Sequence, residues 1–141
     1  MTNIDFYILN SSQPEARLQF ACRLAYKAWQ QNRQIYLHCG SEAEAQHLDT
    51  LLWVFRADAF LPHALHSEQP NATIVCGWKD DPTTHHDLLI NLSNNTPDFF
   101  SRFTRLAEIL VEHEPIIVPA RQRYRFYRER GYPLKSHQIR I

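Results

Sequence analysis

Gln34-Ile35-Tyr36-Leu37-His38-Cys39-Gly40-Ser41-Glu42-Ala43-Glu44 decides the fold. The first six residues are rich in strand formers and stop at a glycine, and Ser41-x-x-Glu44 then has the form of a capping box that opens a helix. That helix carries Leu48, Leu51 and Leu52 and runs to about Phe55. A strand delivered straight into a helix is the first half of a βαβ unit.

Upstream the pattern repeats. Ile4 to Leu9 is a short apolar strand ending at Asn10-Ser11-Ser12, a turn and helix cap, and Pro14 suits a first helical turn. Leu18, Cys22, Ala25 and Trp29 then recur at helical spacing. Downstream, Thr73 to Trp78 and Asp87 to Leu92 are strands joined by the polar loop 79–86. A short helix bearing Phe99, Phe100 and Phe103 follows Thr96-Pro97-Asp98, and Leu106 to Val111 is a further strand. The last helix begins between Pro115 and Pro119 and stops at Gly131. Such alternation predicts one α/β domain over residues 1–141, a mostly parallel sheet between two helical layers.

Composition agrees with a single packed core. The 141 residues are 44% apolar and 12% aromatic, which argues against disorder. No window approaches the ~18 apolar residues of a membrane span, and the N-terminus lacks the basic and apolar regions of a signal peptide. Cys22, Cys39 and Cys76 lie far apart in apolar segments, so buried reduced thiols and a cytoplasmic setting are expected. Net charge is zero, but its placement is uneven: from Pro115 to Ile141 seven Lys/Arg face one acid, and residues 1–114 carry the compensating excess of acids. The body is mildly acidic and its end is basic.

Three kinds of site fail on this sequence. The three glycines, Gly40, Gly77 and Gly131, form no phosphate-binding loop, so no nucleotide cofactor is expected. Of eight histidines only His63-x-x-His66 and His85-His86 are close; the first pair falls in a loop, the second points apart, and four metal ligands cannot be assembled. No nucleophile motif occurs, and Asp80-Asp81 beside Pro82 has the form of turn chemistry. No catalytic residue, cofactor or metal is expected.

Two features survive. On the last helix Arg121, Arg125 and Arg128 share one face with Tyr124 at its edge. Guanidinium groups hold carboxylates or phosphates by paired hydrogen bonds, and both Arg and Tyr are frequent at binding hot spots. The bland alternative is that these arginines complement the helix dipole or pair with acids of the body. The second feature is Trp53, which lies off the apolar face set by Leu48, Leu52 and Phe55, with Phe60-Leu61-Pro62 following. It leaves two readings open, an apolar contact surface or a small second core under the loop.

Together these segments resemble the chi subunit of the bacterial DNA polymerase III holoenzyme. The resemblance rests on Phe6-Tyr7-Ile8-Leu9, Leu48-Asp49 with Leu52-Trp53, Phe60-Leu61-Pro62-His63, Asp87 to Leu92, and Arg121 to Arg128 ending at Gly131-Tyr132. It implies a Rossmann-like, non-catalytic adaptor, monomeric or in a 1:1 heterodimer, that touches DNA only indirectly. It implies two partners: the acidic C-terminal tail of single-stranded-DNA-binding protein, and the psi subunit of the clamp loader. Arg121 matches the family's tail-binding arginine, with Tyr124, Arg125 and Arg128 beside it and Leu110 or Val111 as walls of an apolar pocket beneath. Trp53, Phe60 and Pro62 match the psi-facing surface. This chain departs from the family where a lysine can precede the arginine by one turn: it has Ile117, with Pro119 interrupting or starting the helix. The rival expectation is direct single-strand nucleic-acid binding, with tyrosines stacking on bases.

Overall fold

The computed structural model describes residues 1–56, 60–79 and 81–141. Its elements are β1 Asn3–Leu9, α1 Pro14–Gln30, β2 Ile35–His38, α2 Glu42–Val54, β3 His63–Leu65, β4 Ile74–Gly77, β5 Leu88–Asn91, β6 Arg105–Leu110, α3 Glu114–Glu129 and β7 Leu134–Ile139. A 3₁₀ turn at Phe100–Arg102 replaces the short helix expected there. The strands form one seven-stranded sheet in the order β3-β4-β2-β5-β6-β1-β7. Every pairing is parallel, so the sheet is more uniform than expected.

The deciding stretch folds as its residues dictate. The Ser41 side chain accepts the backbone N–H of Glu44 at 3.1 Å, and the Glu44 carboxylate accepts the N–H of Gly40 at 3.0 Å. Two donors at the helix start are thereby satisfied from within it. The first helix differs: its cap is Gln13 without a side-chain bond, and Ser11 instead accepts the Gln13 N–H, so Asn10-Ser11-Ser12 forms a turn and not a cap.

Alternation along the strands divides two apolar layers. Ile35, Leu37, Ala107 and Ile109 meet Leu18, Cys22 and Ala25 of α1 and Leu48 and Leu52 of α2. Ile4, Phe6, Tyr36, Leu106 and Leu110 face the other way, toward Phe100, Ala120 and Tyr127. The three cysteines are buried and free, and burial pushes the Cys22 thiol up to about 12 and those of Cys39 and Cys76 further, so the thiolate is disfavoured.

β3 and β7 have no counterpart among the expected elements. His63 opens β3 instead of lying in a loop; its Nδ1 faces the Leu61 carbonyl at 2.7 Å and its Nε2 that of Asp49 at 3.0 Å. His85 is buried against the Ala72 carbonyl while His86 is exposed. Among the described residues no group of three or more His, Cys, Asp or Glu could hold a metal, and no helix is long and apolar enough to cross a membrane. Asp81 pairs with Arg102. Asp80, its neighbour in the expected pair, lies outside the described residues.

Candidate binding faces

α3 is one continuous helix from Glu114, with Pro115 in its first turn. Pro119 neither starts nor interrupts it. Pro119 lacks the N–H that would reach the carbonyl of Pro115, and the helix runs through it while Ile116 and Ala120 remain buried on the sheet side. The chain leaves the helix at Gly131, whose φ of +82° is the left-handed conformation that glycine adopts without strain.

The inward stripe is Ile116, Ala120, Arg123 and Tyr127, spaced 4, 3 and 4 residues apart. Arg123 is therefore not part of the basic surface. Its Nε and Nη2 donate to the two carboxylate oxygens of Glu108 at 3.1 and 2.9 Å. The Tyr127 hydroxyl (2.8 Å) and Asn91 Nδ2 (3.0 Å) donate to the same carboxylate. Glu108 is fully buried at the centre of β6. Burial, reinforced by that carboxylate, pushes the Tyr127 phenol far above its ordinary value. Sequence reasoning passed over this cluster, although a lone acid inside Leu106-Ala107-Glu108-Ile109-Leu110 and an arginine in phase with Ala120 and Tyr127 both announced it.

With Arg123 turned inward, α3 presents Arg121, Arg125 and Arg128 to solvent, and none of the three makes an ion pair among the described residues. Tyr124 is half-buried, edge-on to Phe6 at 5.1 Å, with the Arg128 guanidinium 5.9 Å from its ring centre. Leu110 lies beneath the helix and is only 7% exposed, while Val111 packs into the layer of α1 and α2. The apolar surface open beside Arg121 is one turn earlier, at half-buried Ile117 and exposed Val118.

The second face lies beside β3, an edge strand of the sheet. Trp53 is 55% and Phe60 68% exposed, so neither serves a core. Their rings are 5.5 Å apart, and Trp53 also stands edge-on to His63 at 4.6 Å. With Asp49, half-buried Pro62 and Ala72 they line an open groove of about 700 Å³. The backbone bonds of His63 hold this loop against α2.

The chain matches the family described as DNA polymerase III chi subunit, HolC, over residues 1–135. It is 50% identical over 139 residues to the DNA polymerase III subunit chi of Pseudomonas aeruginosa, covering 99% of this chain and 98% of that protein. The proteins of the same description from Haemophilus influenzae and Escherichia coli are 31% identical over 137 residues and 29% identical over 143. These two alignments cover 95% and 96% of this chain and 95% and 97% of the relatives. A family match over residues 1–135 and relatives aligned over nearly the full chain show that the chain belongs to the DNA polymerase III chi subunit family.

Proposed function

We propose that this protein is a cytoplasmic, non-catalytic adaptor of the DNA polymerase III holoenzyme, joining single-stranded-DNA-binding protein to the clamp loader during replication. The observation that carries it is the sorting of arginines on α3: one is consumed inside, and three stand exposed on the outer face. Arg121 and Arg125 take the carboxylates of the acidic tail by paired, charge-assisted hydrogen bonds. Ile117 and Val118 offer the terminal side chain an apolar seat, whereas Leu110 becomes accessible only if α3 moves. Trp53, Phe60 and Pro62 form the apolar anchor for a psi-type subunit.

Direct single-strand binding by α3 is the weaker reading. It needs free tyrosine faces, but Tyr127 is fully buried and Tyr124 is packed on Phe6. The decisive experiment is a titration with a labelled acidic tail peptide, the same peptide amidated at its terminal carboxylate, and an oligo-dT strand. The free-acid peptide should bind best, more weakly as salt rises, and Arg121→Ala should cost more than about 1 kcal/mol. Tight oligo-dT binding with none to the peptide would sink the adaptor reading.

A further inference from the structure

In an all-parallel sheet, ligands gather outside the carboxyl ends of the strands, where the strand order reverses. From β2 the chain moves outward to β3 and back to β4 on one side, then crosses to β5 on the other, so the reversal falls between β2 and β5. An open groove of about 580 Å³ lies there, lined among others by His38, Trp78, Asn95, Thr96 and Phe99. Neither Trp53 nor Phe60 lines it, and none of the exposed arginines of α3 does.

His38, at the end of β2, is 9% exposed. Its Nδ1 is one of two buried side-chain polar atoms among the described residues that lack a hydrogen-bond partner; the other, Nη1 of Arg123, belongs to the Glu108 cluster. Such groups are rare in folded proteins. Burial lowers His38 to about 4, so at neutral pH it is an uncharged ring able to donate or accept. Beside it Phe99 stands edge-on at 5.4 Å, and half-buried Trp78 adds a second aromatic surface. Asn95 is exposed, and its backbone is fixed by bonds from Asn91 and Ser93. The charges of the lining cancel among the described residues: Asp81 is paired with Arg102, and Lys79 offsets Asp98. Aromatic faces, neutral hydrogen-bonding groups and no net charge suit an uncharged heterocycle and not a phosphate.

We infer that this groove binds a planar nitrogen heterocycle, a nucleobase, carried either by a free nucleoside or by one unstacked position of a single strand. The base packs against Phe99 and Trp78 and meets the Asn95 amide with its edge. His38 turns to give its unpartnered nitrogen a bond.

The test is NMR titration of ¹⁵N-labelled protein with adenosine, guanosine, cytidine and thymidine, with phenol as an aromatic control, and with oligo-dT. At least one nucleoside should give saturable shifts at the His38 ring nitrogens and the Trp78, Asn95 and Phe99 amides, with none from phenol. Asn95→Ala, a change at an exposed loop position, should weaken binding at least ten-fold, as should His38→Phe, which keeps the ring and removes its nitrogens. Oligo-dT binding these residues more tightly per base than thymidine identifies the strand as the source; equal or weaker binding identifies the free nucleoside. The inference is overturned by the absence of saturable shifts with any nucleoside, by an equal response to phenol, or by oligo-dT shifts confined to α3.

Discussion

Glu108 and Arg123 show how much one buried charge can demand of its surroundings. Both are almost fully enclosed, at 0% and 5% side-chain exposure, and the carboxylate takes four hydrogen bonds from three residues. Removing one partner strands the other in the interior, which costs far more than the pair itself contributes. Arg123→Ala should lower the unfolding free energy by about 3–5 kcal/mol, measured by urea titration. Arg123→Leu combined with Glu108→Leu should recover part of that loss; a single variant costing under 1 kcal/mol would show that water reaches the carboxylate.

His38 supplies a pH dependence of definite sign. In the unfolded chain it titrates near 6.5 and in the folded protein near 4. Between those values the unfolded state holds the extra proton, so stability is full above pH 6.5 and falls as the pH drops toward 4. The drop from this residue should be about 2 kcal/mol by pH 5. His85, lowered by burial in the same direction, adds to it. Unfolding at pH 7 and pH 5 measures the loss, and His38→Phe should remove most of it. A flat profile in the unmodified protein would refute this assignment.

At the scale of elements, the sequence was legible wherever local chemistry and tertiary demand agreed. The run from Ile35 through Gly40 to Glu44 contained its own start, stop and cap, and Gly131 marked the end of α3 by a backbone angle that other residues resist. β7 was missed because it is an edge strand: Lys135, Ser136 and Gln138 are exposed, so the period-two pattern that a covered strand displays is absent. Its existence follows from pairing with β1, a partner no local pattern names. β3 was missed for brevity, three residues closed by Pro62 on one side and His66 on the other. The exposed half of α3, with Arg121, Arg125 and Arg128, was legible from spacing. Its buried half was obscured by an arginine that composition alone cannot tell from its neighbours.

For the whole molecule, the two faces are set apart by construction. α3 and α2 pack on opposite sides of the sheet, and β3, beside the Trp53–Phe60 pair, lies four strand positions from β6, roughly 19 Å. Groups so far apart, without shared partners, act independently. Phe60→Ala should therefore leave tail-peptide affinity within about two-fold and abolish association with a psi-type subunit, both read by calorimetry. Loss of both activities would mean that Phe60 supports the fold, and the assignment would be withdrawn.

The position of β1 has a consequence for the birth of the protein. That strand sits between β6 and β7, and one of the bonds that encloses it, from His137 to Asp5, joins residues 132 positions apart. A ribosome adding about 5–20 residues per second releases β1 several seconds before either flanking strand exists. During that interval Ile4, Phe6 and Leu9 have no sheet to enter, and their apolar side chains are available to chaperones. The nascent chain closes its sheet around β1 only after β6 and β7 have both been made.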